Sequence, residues 1–316
     1  MAVDYQPWFD RFVGDVLPLD QGRMERIGGA WRHLEQLVSR DDAFKRLRPQ
    51  IVAQGSYAAG TAIKPLRAKD EFDVDLVIKL SLRTSVTSTA VLDWLRSRLA
   101  LDRTFKSRLV PHPRCVRVSY AGDFHLDIVP ARRVSTPLKL GSTTVNLARL
   151  KVPDRTGGWR FSNPEGFVNW CRKQDKRTGG DFGRVVMMLK RWRDNKAPEK
   201  GRVRSIVFTT LIGRAVPTWP GSSGSARPDA RVLIATLQRL NQQLRGISSV
   251  PFVRNPSLQS ENLARGWTRS DFAEFRSQIN EAWRLSVEID KSRNPAPWRA
   301  LFGRTFPLTP PYFAGT

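Results

Sequence analysis

The spacing of apolar residues in the first third of the chain alternates between a helical and an extended period. Residues 20–46 carry apolar side chains every three or four positions, which predicts an amphipathic helix. Residues 71–80 alternate apolar and polar side chains and predict a strand, preceded by a shorter strand at 51–54. A second helix is predicted over 86–103. The apolar stripes of the two helices are Met24, Ile27, Trp31, Leu34 and Leu37 in the first, and Leu92, Leu95 and Leu99 in the second.

Two more strands are predicted at 114–120 and 123–130, joined by a turn at Ala121-Gly122-Asp123. A further segment, 135–147, is able to extend the same sheet. From Asn163 onward the spacing is helical, with a flexible loop at 221–228 and a proline-rich, extended tail. The predicted helices are 163–177, 181–195, 203–216, 229–245 and 270–289. The chain is therefore predicted to be α+β, with a mixed sheet-and-helix lobe over residues 1–155 and a helical lobe over 156–316.

Composition places the chain among globular proteins. Its 316 residues, 40 % hydrophobic and 26 % charged, suffice for one large domain or two packed lobes. No apolar run reaches the roughly 20 residues of a membrane span, and the N-terminus lacks a signal-peptide pattern. Cys115 and Cys171 are too few for a disulfide scaffold and, with three histidines, argue against a structural zinc site. We therefore expect a cytoplasmic protein with no membrane partner.

The net charge of +24 has two interpretations. It is the electrostatic signature of proteins that bind nucleic acid or other polyanions. Because 40 of the 53 basic residues are arginine, it is equally consistent with arginines spread over a solvated surface. Between Arg172 and Arg204 there are 12 basic residues and four acidic ones. That cluster predicts either a groove for RNA or DNA or a solvated helix face, and the sequence leaves both open.

Three aspartates are the strongest candidates for chemistry. Asp73 and Asp75 lie two positions apart on a predicted strand, so their side chains project from one face. Asp127, on a second predicted strand, shares a face with His125 and is placed to add a third carboxylate. Carboxylates this close repel one another unless a cation lies between them, and oxygen ligands favour Mg²⁺. Two such ions would activate a hydroxyl and stabilise a leaving pyrophosphate.

A glycine–serine pair lies upstream of these acids. Gly55-Ser56 follows the predicted strand at 51–54 and precedes a helix start. Backbone amides at such a turn, with a serine hydroxyl, are suited to bind the terminal phosphates of a nucleoside triphosphate. Glycine permits close approach of the backbone to those phosphates. Tyr57, the next residue, is a candidate to stack on a base.

Together these motifs resemble the DNA polymerase β-like nucleotidyltransferase superfamily, and within it the bacterial CD-NTases. The stretch from Gln54 to Pro65, QGSYAAGTAIKP, is similar to the family's phosphate-binding segment. The segment 182–194, which contains LKRWR, resembles its lysine-bearing helix, and the similarity spans roughly residues 20–290. The resemblance implies a polymerase β-like nucleotidyltransferase lobe packed on a C-terminal helical lobe.

The resemblance also assigns roles by position. It implies that Asp73, Asp75 and Asp127 hold two Mg²⁺ ions, or Mn²⁺, and that Asp127 helps activate the attacking ribose hydroxyl. Gly55 and Ser56, within the stretch that begins at Gln54, would hold the β- and γ-phosphates. From the helical lobe, Lys190 would reach the triphosphate, and Ser205 would add a hydroxyl.

The expected function is synthesis of cyclic di- or trinucleotides from nucleoside triphosphates (ATP, GTP or pyrimidine nucleotides). By resemblance, the product would be a second messenger of bacterial antiphage (CBASS) signalling. Two alternatives stay open. One is a linear oligonucleotide synthase or a tRNA- or protein-modifying transferase of the same superfamily. The other is a catalytically silent nucleic-acid-binding protein. The expected partners are a nucleic-acid activator on the basic surface, an operon-encoded regulator, and an E1/E2-like conjugating enzyme at Phe313-Ala314-Gly315-Thr316.

Overall fold

The structure is a computed structural model. It describes residues 4–67, 70–140, 143–196, 203–218, 228–292 and 294–310. The predicted loop at 221–228 (except Pro228), Lys200 and Arg202 of the basic cluster, and the C-terminal residues 313–316 lie outside the described residues.

The described strands are β1 Gln50–Gln54, β2 Phe72–Leu80, β3 Leu109–Pro111, β4 Val116–Tyr120, β5 Phe124–Leu140, β6 Thr143–Asp154, β7 Gly158–Ser162, β8 Arg254–Asn255 and β9 Leu258–Asn262. The described α-helices are α1 Gln6–Arg11, α2 Gln21–Arg40, α3 Asp42–Lys45, α4 Gly55–Ala58, α5 Ser88–Leu99, α6 Arg103–Lys106, α7 Pro164–Thr178, α8 Asp181–Lys196, α9 Ser205–Ala215, α10 Asp229–Leu244, α11 Arg269–Ser292 and α12 Arg299–Phe302. A π-helical turn at Phe12–Val16 and 3₁₀ turns at Ala296–Trp298 and Gly303–Thr305 complete them.

The chain forms two compact units. The sheet unit consists of Asp20–Ala58 and Arg67–Val168, and the helical unit consists of Met1–Leu19, Ala59–Leu66 and Asn169–Thr316. The prediction of a sheet-containing part followed by a helical part, an α+β chain, is confirmed. The division at residue 155 stays a prediction.

A seven-stranded mixed sheet forms the core of the sheet unit. Its order is β1-β2-β5-β4-β3, with β6 paired to β5 and β7 paired to β6. The β2–β5 pair is parallel and the other pairs are antiparallel. One face of the two central strands is apolar, and Val74, Leu76, Leu126 and Ile128 are fully buried. Burial of these aliphatic side chains holds β2 and β5 together.

Three predicted element boundaries were wrong, for local reasons. The helix predicted over 20–46 breaks at Asp41, whose extended backbone and side chain cap α3 through the amides of Ala43 and Phe44. Of its predicted stripe, Ile27 and Leu34 are buried but Met24 is exposed, and Ala30 and Val38 complete the buried face. The helix predicted over 86–103 ends at Leu99, and Asp102 caps the separate α6.

The strand predicted to end at Pro130 continues as β5 to Leu140. Pro130 has no amide hydrogen to donate, yet the strand runs on through it. The strand continues because β5 changes its pairing partner. It pairs with β2 up to Arg132, and its pairing with β6 begins at that residue. The segment predicted at 135–147 is therefore the end of β5 and the start of β6, with Gly141 and Ser142 outside the described residues.

In the helical unit the predicted helices match α7 to α11 within three residues at each end. The predicted apolar face of α8 is buried, with Phe182, Val185, Val186, Leu189 and Trp192 at most 2 % exposed. Aromatic residues tie the N-terminus to the last helices. Phe9 packs edge-on against Trp298 with ring centroids 5.1 Å apart, and Phe12 lies 4.9 Å from Phe302. Among the described helices, none is both long enough and apolar enough to cross a membrane.

Asp154 stabilises the turn between β6 and β7, and its removal is expected to reduce stability. Its buried carboxylate accepts hydrogen bonds from the Thr156 hydroxyl, from the Thr156 and Gly157 amides and from Arg114 Nε, at 2.9–3.1 Å. Burial opposes ionisation, but these donors outweigh it and hold the pKa of Asp154 well below its usual range. We expect Asp154→Ala to lower the free energy of unfolding by about 3 kcal/mol at neutral pH, measured by urea denaturation.

The same variant has an expected pH dependence. Because the folded-state pKa is depressed, the stabilisation is complete above the unfolded pKa of about 3.9 and is lost as the pH falls below it. The difference between wild type and variant should therefore shrink in acid. Asp93→Ala, which removes an exposed carboxylate paired with Arg155, is the control and should cost below about 1 kcal/mol. Equal costs for the two variants at neutral pH would contradict the assignment.

Candidate active site

The parallel pairing of β2 and β5 places acidic residues side by side. Asp75 is the register partner of Asp127, and Asp73 is the partner of His125. Register partners on neighbouring strands share a face of the sheet, so all four side chains lie opposite the buried Val74, Leu76, Leu126 and Ile128. Two strand segments separated by about fifty residues in sequence therefore bring their carboxylates to one place.

The glycine of the Gly-Ser pair lies against one of these carboxylates. Gln54, the last residue of β1, is the register partner of Asp75, and the chain then turns into α4 at Gly55. Gly55 has a φ of +67°, and a Cβ added to it would lie 2.1 Å from Asp75 Oδ2. Glycine is therefore required here both by backbone conformation and by space. Ser56 and Tyr57 follow within α4, so the residues predicted to bind phosphate begin at the carboxylate site.

Arg117 holds two of the three aspartates, and the sequence reasoning missed it. Its Nε donates to Asp127 Oδ1 and its Nη2 to Asp127 Oδ2, both at 2.7 Å, while Nη2 also donates to Asp73 Oδ1 at 2.9 Å. The hydrogen bonds to Asp127 raise the pKa of Arg117, and the charge of Asp73 adds to the effect. The sequence did carry a signal for this pairing. Arg117 and Asp127 are equally far in sequence from Gly122, the centre of the predicted hairpin turn, so the two residues lie opposite each other on its strands.

Two further groups surround the aspartates. His125 Nε2 lies 2.6 Å from Glu71 Oε2, and the other oxygen of Glu71 accepts the Gly122 amide at 2.7 Å. Glu71 thus ties the start of β2 to the turn before β5 and acts structurally. Burial raises the pKa of the Cys115 thiol, and the nearby Asp127 carboxylate raises it further. Neither His125 nor Cys115 has the environment of a nucleophile.

Lys190 and Ser205 belong to the helical unit. The Lys190 side chain is buried, and its Nζ donates to the Thr61 carbonyl oxygen at 2.7 Å and lies 3.3 Å from Thr61 Oγ1. Ser205 begins α9, and its hydroxyl accepts a hydrogen bond from Arg193 Nη1 at 3.0 Å. The predicted contact of both residues with a triphosphate stays a prediction.

The basic cluster between Arg172 and Arg204 is not uniformly a surface. Lys190 and Arg191 are buried, and Arg191 donates to the Lys64 carbonyl oxygen at 2.7 Å. Neither residue belongs to a solvated helix face or to an open groove. On α7, by contrast, Arg172, Lys173 and Lys176 are exposed. The part of the cluster that could meet a polyanion is therefore smaller than its composition indicated.

The donors of the site suit a hard divalent cation. Carboxylate oxygens on two adjacent strands are the ligands that Mg²⁺ and Mn²⁺ prefer. Within the residues that the structure describes, no three acidic, histidine or cysteine side chains are already gathered as a metal cage. Asp127 directs both of its oxygens to Arg117 instead. The residue types therefore fit the metal.

Comparison with known proteins agrees with this geometry. The model of the Second Messenger Oligonucleotide or Dinucleotide Synthetase (SMODS) domain matches residues 1–175. The c-di-GMP synthase of Roseivirga ehrenbergii is 31 % identical over 304 residues, covering 86 % of this chain and 77 % of that protein.

Solved structures share the fold. The Bradyrhizobium diazoefficiens CD-NTase CdnG in complex with GTP has a TM-score of 0.71 at 18 % identity, over 95 % of this chain and 96 % of that one. E. coli MS115-1 CdnC in its HORMA-deltaN complex has a TM-score of 0.69 at 18 % identity, over 96 % and 98 % of the two chains.

Fold and site together define a nucleotidyltransferase. The chain belongs to the SMODS family, the bacterial CD-NTases. The predicted family, the polymerase β-like fold and the enzyme class are thereby confirmed. The individual site residues stay predictions, supported by the geometry above.

Gly55 and Gly60 provide a matched pair of substitutions that tests the contact with Asp75. Both have a φ of +67°, but a Cβ on Gly60 would have no neighbour within 4 Å. Each alanine should cost about 1 kcal/mol for the backbone conformation. Gly55→Ala should cost at least about 1 kcal/mol more, because the new Cβ overlaps the Asp75 carboxylate.

The measurement is urea unfolding of both single variants and of Gly55→Ala/Asp75→Ala. In the double variant the excess cost should disappear, since the overlapping atoms are gone. Equal destabilisation by the two single substitutions would show that the turn moves away from Asp75 freely, contrary to the geometry.

Proposed function

We propose that this protein makes cyclic di- or trinucleotides from nucleoside triphosphates, releasing pyrophosphate. One observation carries the proposal: the turn at Gly55 lies against Asp75, which is itself paired in register with Asp127. The turn that we propose binds phosphate and two carboxylates that we propose bind metal therefore lie close together in a CD-NTase chain. The arrangement supports transfer of a nucleotidyl group to a hydroxyl.

Each predicted site residue in the sheet unit has a proposed role in that reaction. Gly55 and Ser56 bind the β- and γ-phosphates through backbone amides and the serine hydroxyl, with Gln54 holding the turn on β1. Tyr57 stacks on a base. Asp73, Asp75 and Asp127 would hold two Mg²⁺ ions, or Mn²⁺, which would neutralise charge on the phosphates and lower the pKa of the attacking hydroxyl. Asp127 orients that ribose hydroxyl and accepts its proton as the oxygen bonds to the α-phosphorus and pyrophosphate leaves.

Residues of the helical unit complete the proposal. Lys190 is assigned to the triphosphate, where a compact ammonium is able to follow the phosphates as charge shifts to the pyrophosphate. Ser205 adds a hydroxyl donor. In the structure the buried Lys190 ammonium donates to the Thr61 carbonyl oxygen, a hydrogen bond that the proposed phosphate contact would have to replace or share.

The comparisons guide the choice of substrate and partner. Because the Roseivirga relative is named a c-di-GMP synthase and CdnG is solved with GTP, we expect GTP to be among the substrates. We propose that the product is a second messenger of antiphage (CBASS) defence. The CdnC:HORMA-deltaN complex supports a protein regulator, and the exposed basic residues of α7 support a nucleic-acid activator.

The proposal predicts a phosphatase-resistant product. Purified protein is incubated with all four NTPs and Mg²⁺ or Mn²⁺, with and without double-stranded DNA or RNA, and products are identified by mass spectrometry. We expect a cyclic product containing guanine, abolished in Asp73→Asn/Asp75→Asn. Asp93→Asn, which removes an exposed carboxylate of α5, should retain full activity.

Other outcomes would favour the alternatives. Only phosphatase-sensitive chains would indicate a linear synthase. No NTP consumption under any condition, together with nucleic-acid binding that survives Asp73→Asn/Asp75→Asn, would identify a binding protein on this scaffold.

A further inference from the structure

We propose that Arg117 is a resident counter-cation of the carboxylate site, which a divalent metal must displace from Asp127. Metal affinity would then be set by competition between the guanidinium and the ion. This inference rests on the proposed function only in assigning Asp127 and Asp73 as metal ligands.

The hydrogen-bond geometry shows how completely Arg117 engages the site. Its Nε hydrogen and both Nη2 hydrogens are used, two on Asp127 and one on Asp73. Both oxygens of Asp127 therefore accept from the same planar group, which is the strongest pairing that arginine makes with a carboxylate. A metal ion on either oxygen would have to share that oxygen with the guanidinium.

Burial explains why such a counter-cation is needed. The Asp127 side chain is 10 % exposed, whereas that of Asp73 is 54 % exposed. A buried carboxylate without a compensating charge is costly, and the neighbouring Asp75 adds repulsion. The cation on β4 directly opposite Asp127 is Arg117, which supplies this compensating charge.

The same geometry allows a divalent metal to take the place of Arg117 on Asp127. The Arg117 side chain is itself 21 % exposed and reaches toward the exposed Asp73. Loss of the two bonds to Asp127 leaves it a path to solvent on that side. Because a guanidinium and a divalent cation repel at this range, the two cannot share Asp127 at full strength. The exchange trades a single positive charge for a double one.

Mn²⁺ binding without nucleotide tests the proposal. Free Mn²⁺ is measured by electron paramagnetic resonance during titration of wild type, Arg117→Met and Arg117→Lys. Methionine removes the charge but keeps an extended side chain, so its Mn²⁺ Kd should fall about tenfold or more. Lysine keeps the charge, so its Kd should stay near that of wild type. Arg155→Met, which removes one positive charge from the exposed pair with Asp93, is the matched control and should bind like wild type.

Two results of this titration would overturn the proposal. Unchanged or weaker Mn²⁺ binding by Arg117→Met would show that Arg117 positions the carboxylates for the metal and does not compete with it, and would overturn the proposal. So would the absence of Mn²⁺ binding in wild type and variant alike. If Arg117→Met does not fold, Arg117→Gln, which removes the charge but still donates a hydrogen bond, replaces it under the same criteria. No arm requires turnover, so failure here is distinct from failure of the synthase assay.

Discussion

The parallel pairing of β2 with β5 is the interaction on which the rest of the site depends. Antiparallel hairpins form between neighbouring segments, but a parallel pair requires the chain to cross back, here through α5, α6, β3 and β4. Burial of Val74, Leu76, Leu126 and Ile128 at zero exposure stabilises the pair. A shift of one residue would turn Asp127 away from Asp75, so the apolar face determines the register of the acidic one.

Charge in this protein is used largely within the fold. Arginines bind aspartates inside both units, as Arg98 binds Asp41 and Arg184 binds Asp229, and Arg191 and Arg204 hold backbone carbonyl oxygens. From the sequence we considered arginines that bind nucleic acid and arginines on a solvated surface. These intramolecular contacts are a third role for arginine. The arginine–aspartate pairs carry no net charge, so the excess of +24 lies in the other basic residues, of which the buried Arg191 is not available to a partner.

Periodicity predicted most elements because it reports which face of an element is buried. The helix expected at 181–195 is α8, Asp181–Lys196, and the strand expected at 71–80 is β2. Boundaries were missed where one side chain or a change of neighbour overrides the pattern: Asp41 caps a second helix, and β5 passes Pro130 because β6 takes over its pairing. Each of these boundaries depends on one local contact. The periodicity of apolar residues is a property of many positions together and does not reveal such a contact.

The sequence by itself determined which residues are the candidates for chemistry, since the Gly-Ser turn and three aspartates are types and spacings readable along the chain. Tertiary structure alone decided their partners. It placed Arg117 on Asp127 and Asp73, Asp75 against Gly55, and Lys190 on the Thr61 carbonyl. The physical reason is that a periodic pattern states which way a side chain points, whereas its neighbour across the sheet or helix is set by packing between segments distant in sequence.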